Sequence, residues 1–293
     1  NGYLGLRAAT EEKYLGETRD LLVAGTYDRF SEEEVTELPN AADFTNIEIT
    51  LNGERFDLTQ GTILHYNREI NLKTGLLKRE VMWESPKGET FALKFERIVS
   101  LKRLHTIAFQ ITIIPEQDAA IKFQSGIDGR VTCDGSQHFT EGQTRFYDKK
   151  YLQFVPRTIQ SNIYFVLDAT HDFRVNGAPV EPVSDININR RHMFSNFTIE
   201  AKSGQTVTLE KFCNVYTTRD KEAVDVDVPA LQSYALEQLM AIVDAAEAGL
   251  YEMSGEILAQ LRGYIDPMSK NQDVVYPEVR IWPTLADAFF RAQ

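Results

Sequence analysis

The chain has 293 residues, of which 43% are hydrophobic and 11% aromatic, and its formal net charge at pH 7 is -12. That hydrophobic content is enough for a sizeable core and argues against general disorder. The negative charge argues against nucleic acid or an anionic membrane as a partner, because phosphate groups require a basic face. No apolar run approaches the ~20 residues of a bilayer span, and no secretory leader is recognisable. With only two cysteines, Cys133 and Cys213, we expect a cytoplasmic protein.

Residues 45–217 carry one strand pattern after another. The segment NIEITLNGERFDL predicts a hairpin, because its apolar residues alternate from Ile47 to Leu51 and Asn52-Gly53 favours a type I′ turn. Ten or more strands without helices between them exclude a parallel α/β sheet, since parallel crossovers need a dozen or more residues. The sequence therefore predicts a mainly β protein with a large antiparallel sandwich.

After the strands the periodicity changes once. Between residues 227 and 262 the apolar side chains recur at helical spacing, and Asp227 followed by Pro229 is a start signal for a helix. Gly249 and Gly255 predict a division into two helices, and LADAFFRAQ predicts a short helix in the tail. We therefore expect a β domain over residues 1–222 and a helical linker and tail over residues 223–293.

No motif of the sequence predicts a catalytic residue or a metal site. The histidines do not lie at metal-ligand spacing or in a recognised motif with a cysteine or carboxylate, and there is no nucleophile elbow or phosphate loop. They are His65, His105, His138, His171 and His192. His171-Asp172 could form an acid/base pair, but neighbours on a strand point to opposite faces. The alternating charges of residues 65–88 favour the solvated face of a sheet over a functional cleft, and SEEEVTELPN favours an exposed acidic loop.

Five ordered segments of roughly residues 1–217 carry a resemblance to a known family. They are NGYLGLR, VAGTYDR, ELPNAADFTNIEITLNGERFDL, REINLKTGLLKREVMWESPKGETFALKFERIVSL and ITIIPEQDAAIKFQSGIDGRV. Together they resemble the N-terminal domain of glycoside hydrolase family 65, the family of maltose, kojibiose and trehalose phosphorylases. Ala8 stands where the family usually has Gly, and the tail after residue 250 matches the family's linker poorly.

The resemblance implies a super-sandwich like that of galactose mutarotase, joined by a helical linker to a separate (α/α)6 barrel. It implies that the barrel holds the general-acid glutamate, and that inorganic phosphate is the co-substrate, with no other cofactor. The parent enzyme would then cleave an α-glucosyl disaccharide with inversion, giving β-glucose 1-phosphate. We expect the barrel to be absent from this chain, because six helical hairpins need far more residues than follow Ala230. This chain alone is then expected to be inactive, and its expected partners are its own barrel, the disaccharide and a second copy in a homodimer.

The resemblance also makes NGYLGLR the candidate loop for the rim of the active site, with Asn1, Tyr3, Arg7 and Glu11 as candidate residues. Tyr3 offers a stacking face for a sugar, and Arg7 is a fixed cation. The alternative, which we prefer, is a structural turn in which Arg7 pairs with Glu11 or Glu12.

Two other functions remain open for the chain. One is a stand-alone mutarotase-like enzyme that uses His65 or His171 with a carboxylate in a concave cleft. The other is a carbohydrate-binding module.

Overall fold

The computed structural model describes residues 1–72, 74–223 and 226–247. These residues form sixteen β-strands and one α-helix, with a short 3₁₀ turn at Lys221–Ala223 before the helix. The strands are β1 (Leu4–Leu6), β2 (Leu21–Val23), β3 (Ile47–Leu51), β4 (Glu54–Arg55), β5 (Thr62–Asn71), β6 (Leu76–Glu84), β7 (Thr90–Val99), β8 (Thr106–Pro115), β9 (Ala119–Asp128), β10 (Gln143–Tyr147), β11 (Tyr151–Val155), β12 (Phe165–Val175), β13 (Ala178–Pro179), β14 (Val183–Asn189), β15 (His192–Ala201) and β16 (Val207–Thr217). The helix α1 spans Val228–Glu247.

Two antiparallel sheets form the body of the protein. The larger sheet has nine strands in the order β10-β11-β12-β16-β8-β7-β6-β5, with β13 paired to β12, and the smaller has the order β14-β15-β9-β3-β4. The short strands β1 and β2 pair with each other. The predicted mainly β, antiparallel super-sandwich is therefore confirmed.

The predicted hairpin between β3 and β4 is confirmed. Asn52 and Gly53 have φ values of 48° and 83°, which is the positive pair that a type I′ turn requires. Leu51 then faces Glu54 across the ladder.

The core lies between the two sheets. Phe91, Leu93 and Phe95 alternate along β7 towards this core, and each is at most 2% exposed. Ile49 of β3 and Phe123 of β9, from the smaller sheet, belong to the same core. Burying each such side chain contributes about 1.5–3 kcal/mol to the stability of the fold. Apolar residues therefore occupy every second position of β7 from Phe91 to Phe95, where the side chains face the core.

Helix α1 covers the outer face of the nine-stranded sheet. Leu239 packs beside Phe212 of β16, whose side chain points away from the core between the sheets, and Ala235 packs beside Tyr216. The carboxylate of Asp227 accepts a hydrogen bond from the Ala230 N–H at 2.8 Å, which caps the helix as its start signal predicts. The predicted division at Gly249 and Gly255 and the helix predicted in the tail lie outside the described residues. The described part of the chain contains no helix that is both long and apolar enough to cross a membrane.

A polar cluster is buried between helix α1 and the sheet. The Gln153 amide donates to Asp168 Oδ1 at 2.8 Å and to the main-chain oxygen of Gln232, on α1, at 3.0 Å. Asp168 is fully buried, and the burial raises the pKa of its carboxyl group to about 8, against the hydrogen bond from Gln153. Asp168 therefore favours its neutral form beneath the helix.

Candidate functional site

The candidate rim residues all belong to the N-terminal segment, defined here as residues 1–20. Both polar atoms of its first side chain, that of Asn1, form hydrogen bonds. Asn1 Oδ1 accepts hydrogen bonds from the N–H groups of Tyr3 and Leu4 at 3.0 and 2.7 Å, and Asn1 Nδ2 donates to the main-chain oxygens of Ser100 and Leu104 at 2.5 and 2.9 Å. Asn1 thus fastens the segment to the loop between β7 and β8.

Tyr3 is also held inside the domain. Its hydroxyl donates to Asp220 Oδ2 at 2.8 Å, and its ring lies 4.2 Å from the His105 ring, which stacks in turn on Tyr216 at 4.0 Å. Burial, followed by the negative charge of Asp220, raises the pKa of Tyr3 well above its ordinary value. One face of the ring that could stack on a sugar is therefore occupied by His105.

Arg7 forms an ion pair with Asp20, and the Arg7 N–H also donates to the Asp20 main-chain oxygen at 3.0 Å. The predicted pairing of Arg7 with Glu11 or Glu12 is wrong, because Arg79 binds both glutamates. The side chains of Arg7 and Asp20 are 27% and 21% exposed, so this pair reaches the surface of the domain.

Glu11 lies in a buried charge cluster, which we define as Glu11, Glu12, Arg19, Arg79 and Arg97. The Arg79 guanidinium donates to Glu11 at 2.9 Å and to both carboxylate oxygens of Glu12 at 2.5 and 2.6 Å. Arg19 donates to the Glu12 main-chain oxygen at 2.7 Å, and Arg97 lies 3.9 Å from Glu11. The five side chains are at most 6% exposed, so the cluster is part of the interior.

The electrostatics of the cluster follow from its burial. Desolvation lowers the pKa of Arg79, but the charges of Glu11 and Glu12 outweigh it and hold the pKa above its ordinary value. For Arg97 desolvation dominates and lowers the pKa. The guanidinium of Arg79 also lies 3.9 Å from the centre of the Phe95 ring, where a cation is attracted to the ring face.

The sequence places Arg79 among alternating charges that favour a solvated sheet face. That expectation holds for His65, which is exposed on β5, and fails for Arg79 and Trp83, which are 3% and 0% exposed. The signal that could have found them is the phase of β6. Arg79 stands two residues before Val81, on the same face as the core side chains.

A second polar site lies between the sheets beside His171. The cavity there has a volume of about 630 Å³ and is lined by residues of both sheets, among them His171, Asp172, Asp185 and Phe197. His171 Nε2 lies 2.9 Å from Ser125 Oγ, whereas Asp172 pairs with Lys150 at 3.0 Å. The two neighbours thus point in different directions, as predicted. Burial, with a smaller effect of Lys211, lowers the pKa of His171 well below its ordinary value.

Comparison with known proteins assigns the chain to a family. The family model described as glycosyl hydrolase family 65, N-terminal domain, matches residues 1–261. This chain belongs to glycoside hydrolase family 65. The family 65 resemblance of the five sequence segments is thereby confirmed, and the matched range extends through the sandwich and the whole of helix α1.

Several relatives of this family 65 domain are named as phosphorylases. It is 41% identical over 253 residues to the kojibiose phosphorylase of Halothermothrix orenii, covering 86% of this chain and 32% of that protein. It is 31% identical to the α,α-trehalose phosphorylase of Thermoanaerobacter brockii, covering 82% of this chain and 33% of that protein. The chain therefore spans about a third of the length of these curated relatives.

A solved structure shows the same fold. It is a protein provisionally named a kojibiose phosphorylase, from the human microbiome, and it superposes with a TM-score of 0.76 at 16% identity. The match covers 91% of this chain and 34% of that chain.

Proposed function

We propose that this chain is the non-catalytic N-terminal domain of a disaccharide phosphorylase. The parent enzyme would cleave an α-glucosyl disaccharide with inorganic phosphate and inversion, releasing β-glucose 1-phosphate, with its catalytic groups on a separate barrel. The observation that carries the proposal is the 41% identity to a kojibiose phosphorylase over 86% of the chain, so kojibiose is the first substrate to test. We place the enzyme in the cytoplasm, in keeping with the two free cysteines.

The geometry supports a division of roles within the N-terminal segment. The polar side-chain atoms of Asn1, Tyr3 and Glu11 form hydrogen bonds inside the domain. These residues therefore position the N-terminal segment. Arg7, paired with Asp20, is the candidate with charge at the surface. We propose that Arg7 contributes to the rim of the active site, that residues 1–222 form the supporting domain in a homodimer, and that residues 223–293 lead towards the barrel.

The function is tested by comparing the full-length parent protein with this chain alone. Each is incubated with kojibiose, trehalose or maltose in phosphate buffer, and β-glucose 1-phosphate is measured. We expect product from the full-length protein only. Phosphorolysis by this chain alone would contradict the proposal, and so would hydrolysis by the parent without consumption of phosphate.

The rim contact is tested by Arg7→Ala in the full-length protein. We expect a raised KM for the disaccharide, because the substitution removes a cation near the bound sugar. Arg190→Ala is the matched control, since Arg190 is an arginine with a side chain 79% exposed on the β14–β15 turn. Equal kinetic constants for the two variants would remove Arg7 from the rim.

The cavity beside His171 supports a second candidate function, the binding of a sugar by this domain itself. A neutral imidazole, nearby carboxylates and the Phe197 ring line one concave space, which is the combination that the mutarotase-like alternative requires. Titration of this chain with kojibiose, trehalose and maltose tests binding, and the rate of anomer interconversion tests catalysis. Binding or interconversion that His171→Ala leaves unchanged would rule out this site.

A further inference from the structure

A cluster of one cysteine, one histidine and one carboxylate lies where two loops meet, away from the N-terminal segment. The side-chain ligand atoms of Glu37, Cys133 and His138 all lie within 4.8 Å of one another. Glu37 belongs to the loop of residues 28–37, whose two ends pair through the main-chain bridge between Asp28 and Glu37. Cys133 and His138 belong to the turn that follows β9.

The backbone holds both loops in place. The Asp28 and Glu37 main chains exchange hydrogen bonds of 2.9 and 3.0 Å, and Cys133 exchanges bonds of 2.9 and 2.7 Å with Ser136. The turn between Cys133 and Ser136 has positive φ values at Asp134 and Gly135. These backbone hydrogen bonds therefore hold in place the two loops that carry the three ligand atoms.

The histidine is oriented from behind. Its Nδ1 lies 3.2 Å from Asp28 Oδ2, and the other oxygen of Asp28 accepts the N–H groups of Gln160 and Ser161 at 3.2 and 2.7 Å. The opposite ring nitrogen, Nε2, faces Glu37 Oε1 at 2.9 Å. A buried carboxylate on one ring nitrogen and ligand atoms at the other is the arrangement that fixes a metal-binding histidine.

Burial separates the inner and outer parts of the cluster. The side chains of His138 and Asp28 are 1% and 0% exposed, whereas the side chain of Glu37 is 42% exposed and Cys133 is half-buried. A cation can therefore reach the cluster from the side of Glu37 and Cys133, while His138 remains fixed in the interior. The Asn40 N–H, 3.1 Å from Cys133 Sγ, supplies a hydrogen bond to the sulfur.

We propose that Glu37, Cys133 and His138 form a Zn²⁺ site that ties the loop of residues 28–37 to the turn at residues 133–138. An imidazole nitrogen, a thiolate and a carboxylate are the ligand types that zinc takes in tetrahedral sites, with water completing the fourth position. Binding displaces the thiol proton to solvent. Asp28 is a positioning residue that acts through His138.

The sequence alone predicts no metal site, and the reason is the spacing. Cys133 and His138 are separated by four residues, but the third ligand lies far earlier in the chain, beyond the reach of a local motif. The site is independent of the proposed phosphorylase function, because it uses none of the residues of the N-terminal segment or of the His171 cavity.

The site is tested with Zn²⁺ and Co²⁺ on the full chain, purified without a histidine tag and stripped with a chelator. Calorimetric titration should give one Zn²⁺ per chain. A free Zn²⁺ concentration one hundred times Kd should raise the thermal midpoint by about 5 °C or more. Co²⁺ should give a tetrahedral visible spectrum with a thiolate charge-transfer band. An unchanged midpoint, or a Co²⁺ spectrum without thiolate character, would overturn the proposal.

Matched variants separate this site from adventitious binding. Cys133→Ser should weaken Zn²⁺ binding about 100-fold or more and abolish the charge-transfer band, and Asp28→Asn should weaken binding about 10–100-fold. Two control variants should bind Zn²⁺ with the affinity of the unsubstituted chain. They are Cys213→Ala, at the other cysteine, and Glu33→Gln, in the loop of residues 28–37. Because Cys133 is half-buried, its serine variant should fold. Equal affinities of Cys133→Ser and Cys213→Ala would refute the assignment.

Discussion

Replacing Glu12 by Gln should destabilise the domain by about 3 kcal/mol. The Glu12 side chain is 1% exposed, and its carboxylate accepts two hydrogen bonds from Arg79 and one from the Tyr14 hydroxyl at 2.9 Å. Removing one partner of a buried ion pair costs about 3–5 kcal/mol, because the remaining charge stays buried without compensation. Arg79 keeps Glu11 as a second carboxylate, so we expect the lower end of that range.

The measurement is the free energy of unfolding by urea, together with the thermal midpoint, for the unsubstituted chain and for the variant. A loss of about 3 kcal/mol in the free energy of unfolding corresponds to a fall of about 6–12 °C in the thermal midpoint of a domain of this size. Glu33→Gln makes the same chemical change on an exposed loop, and its free energy of unfolding should stay within about 0.5 kcal/mol of that of the unsubstituted chain. If Glu12→Gln also stays within that margin, the buried charge cluster does not stabilise the fold.

Two further predictions concern helix α1 and the sheet beneath it. The pKa of the Asp168 carboxyl is raised to about 8 in the folded state, so the contribution of Asp168 to the free energy of unfolding should be full below about pH 4. This contribution should fall by about 1.4 kcal/mol per pH unit as the pH rises towards 8. Asp168→Asn should remove this contribution in unfolding measurements at pH 5 and 8, whereas Asp244→Asn, on the exposed face of α1, should keep it. Leu239→Ala should cost about 2–5 kcal/mol in urea unfolding, because Leu239 is fully buried, and Glu237→Ala on the exposed face should cost little. A small effect at Leu239 would mean that the helix is not docked as described.

Much of the fold can be predicted from the sequence because its determinants are local. The β3–β4 hairpin follows from Asn52-Gly53, whose positive φ values are encoded by the residues themselves. The start of α1 follows from Asp227, which caps its first turn. The family also follows from sequence, since five segments in order carry more information than any one motif.

The rest depends on contacts between residues distant in the chain. The neighbouring charges of Lys78 and Glu80 predict that Arg79 lies at the surface. In the structure, the N-terminal segment packs against β6 and brings Glu11 and Glu12 to Arg79 from more than sixty residues away. The predicted partner of Arg7 is wrong for the same reason. Local spacing favours Glu11 or Glu12, but in the structure both glutamates pair with Arg79. The β1–β2 pairing instead places Asp20 beside Arg7.

The placement of the N-terminal segment decides how its proposed role at the rim of the active site must be measured. Loss of the Tyr3 hydroxyl or the Glu11 carboxylate would leave Asp220 or Arg79 with one partner fewer inside the domain, so a fall in activity would report misplacement of the whole segment. Arg7 is different, because its ion pair with Asp20 is partly exposed and such pairs contribute about 0–1 kcal/mol. A raised KM in Arg7→Ala at unchanged thermal stability would therefore report a contact across the domain boundary, which makes Arg7 the one candidate whose effect on substrate can be separated from its effect on folding.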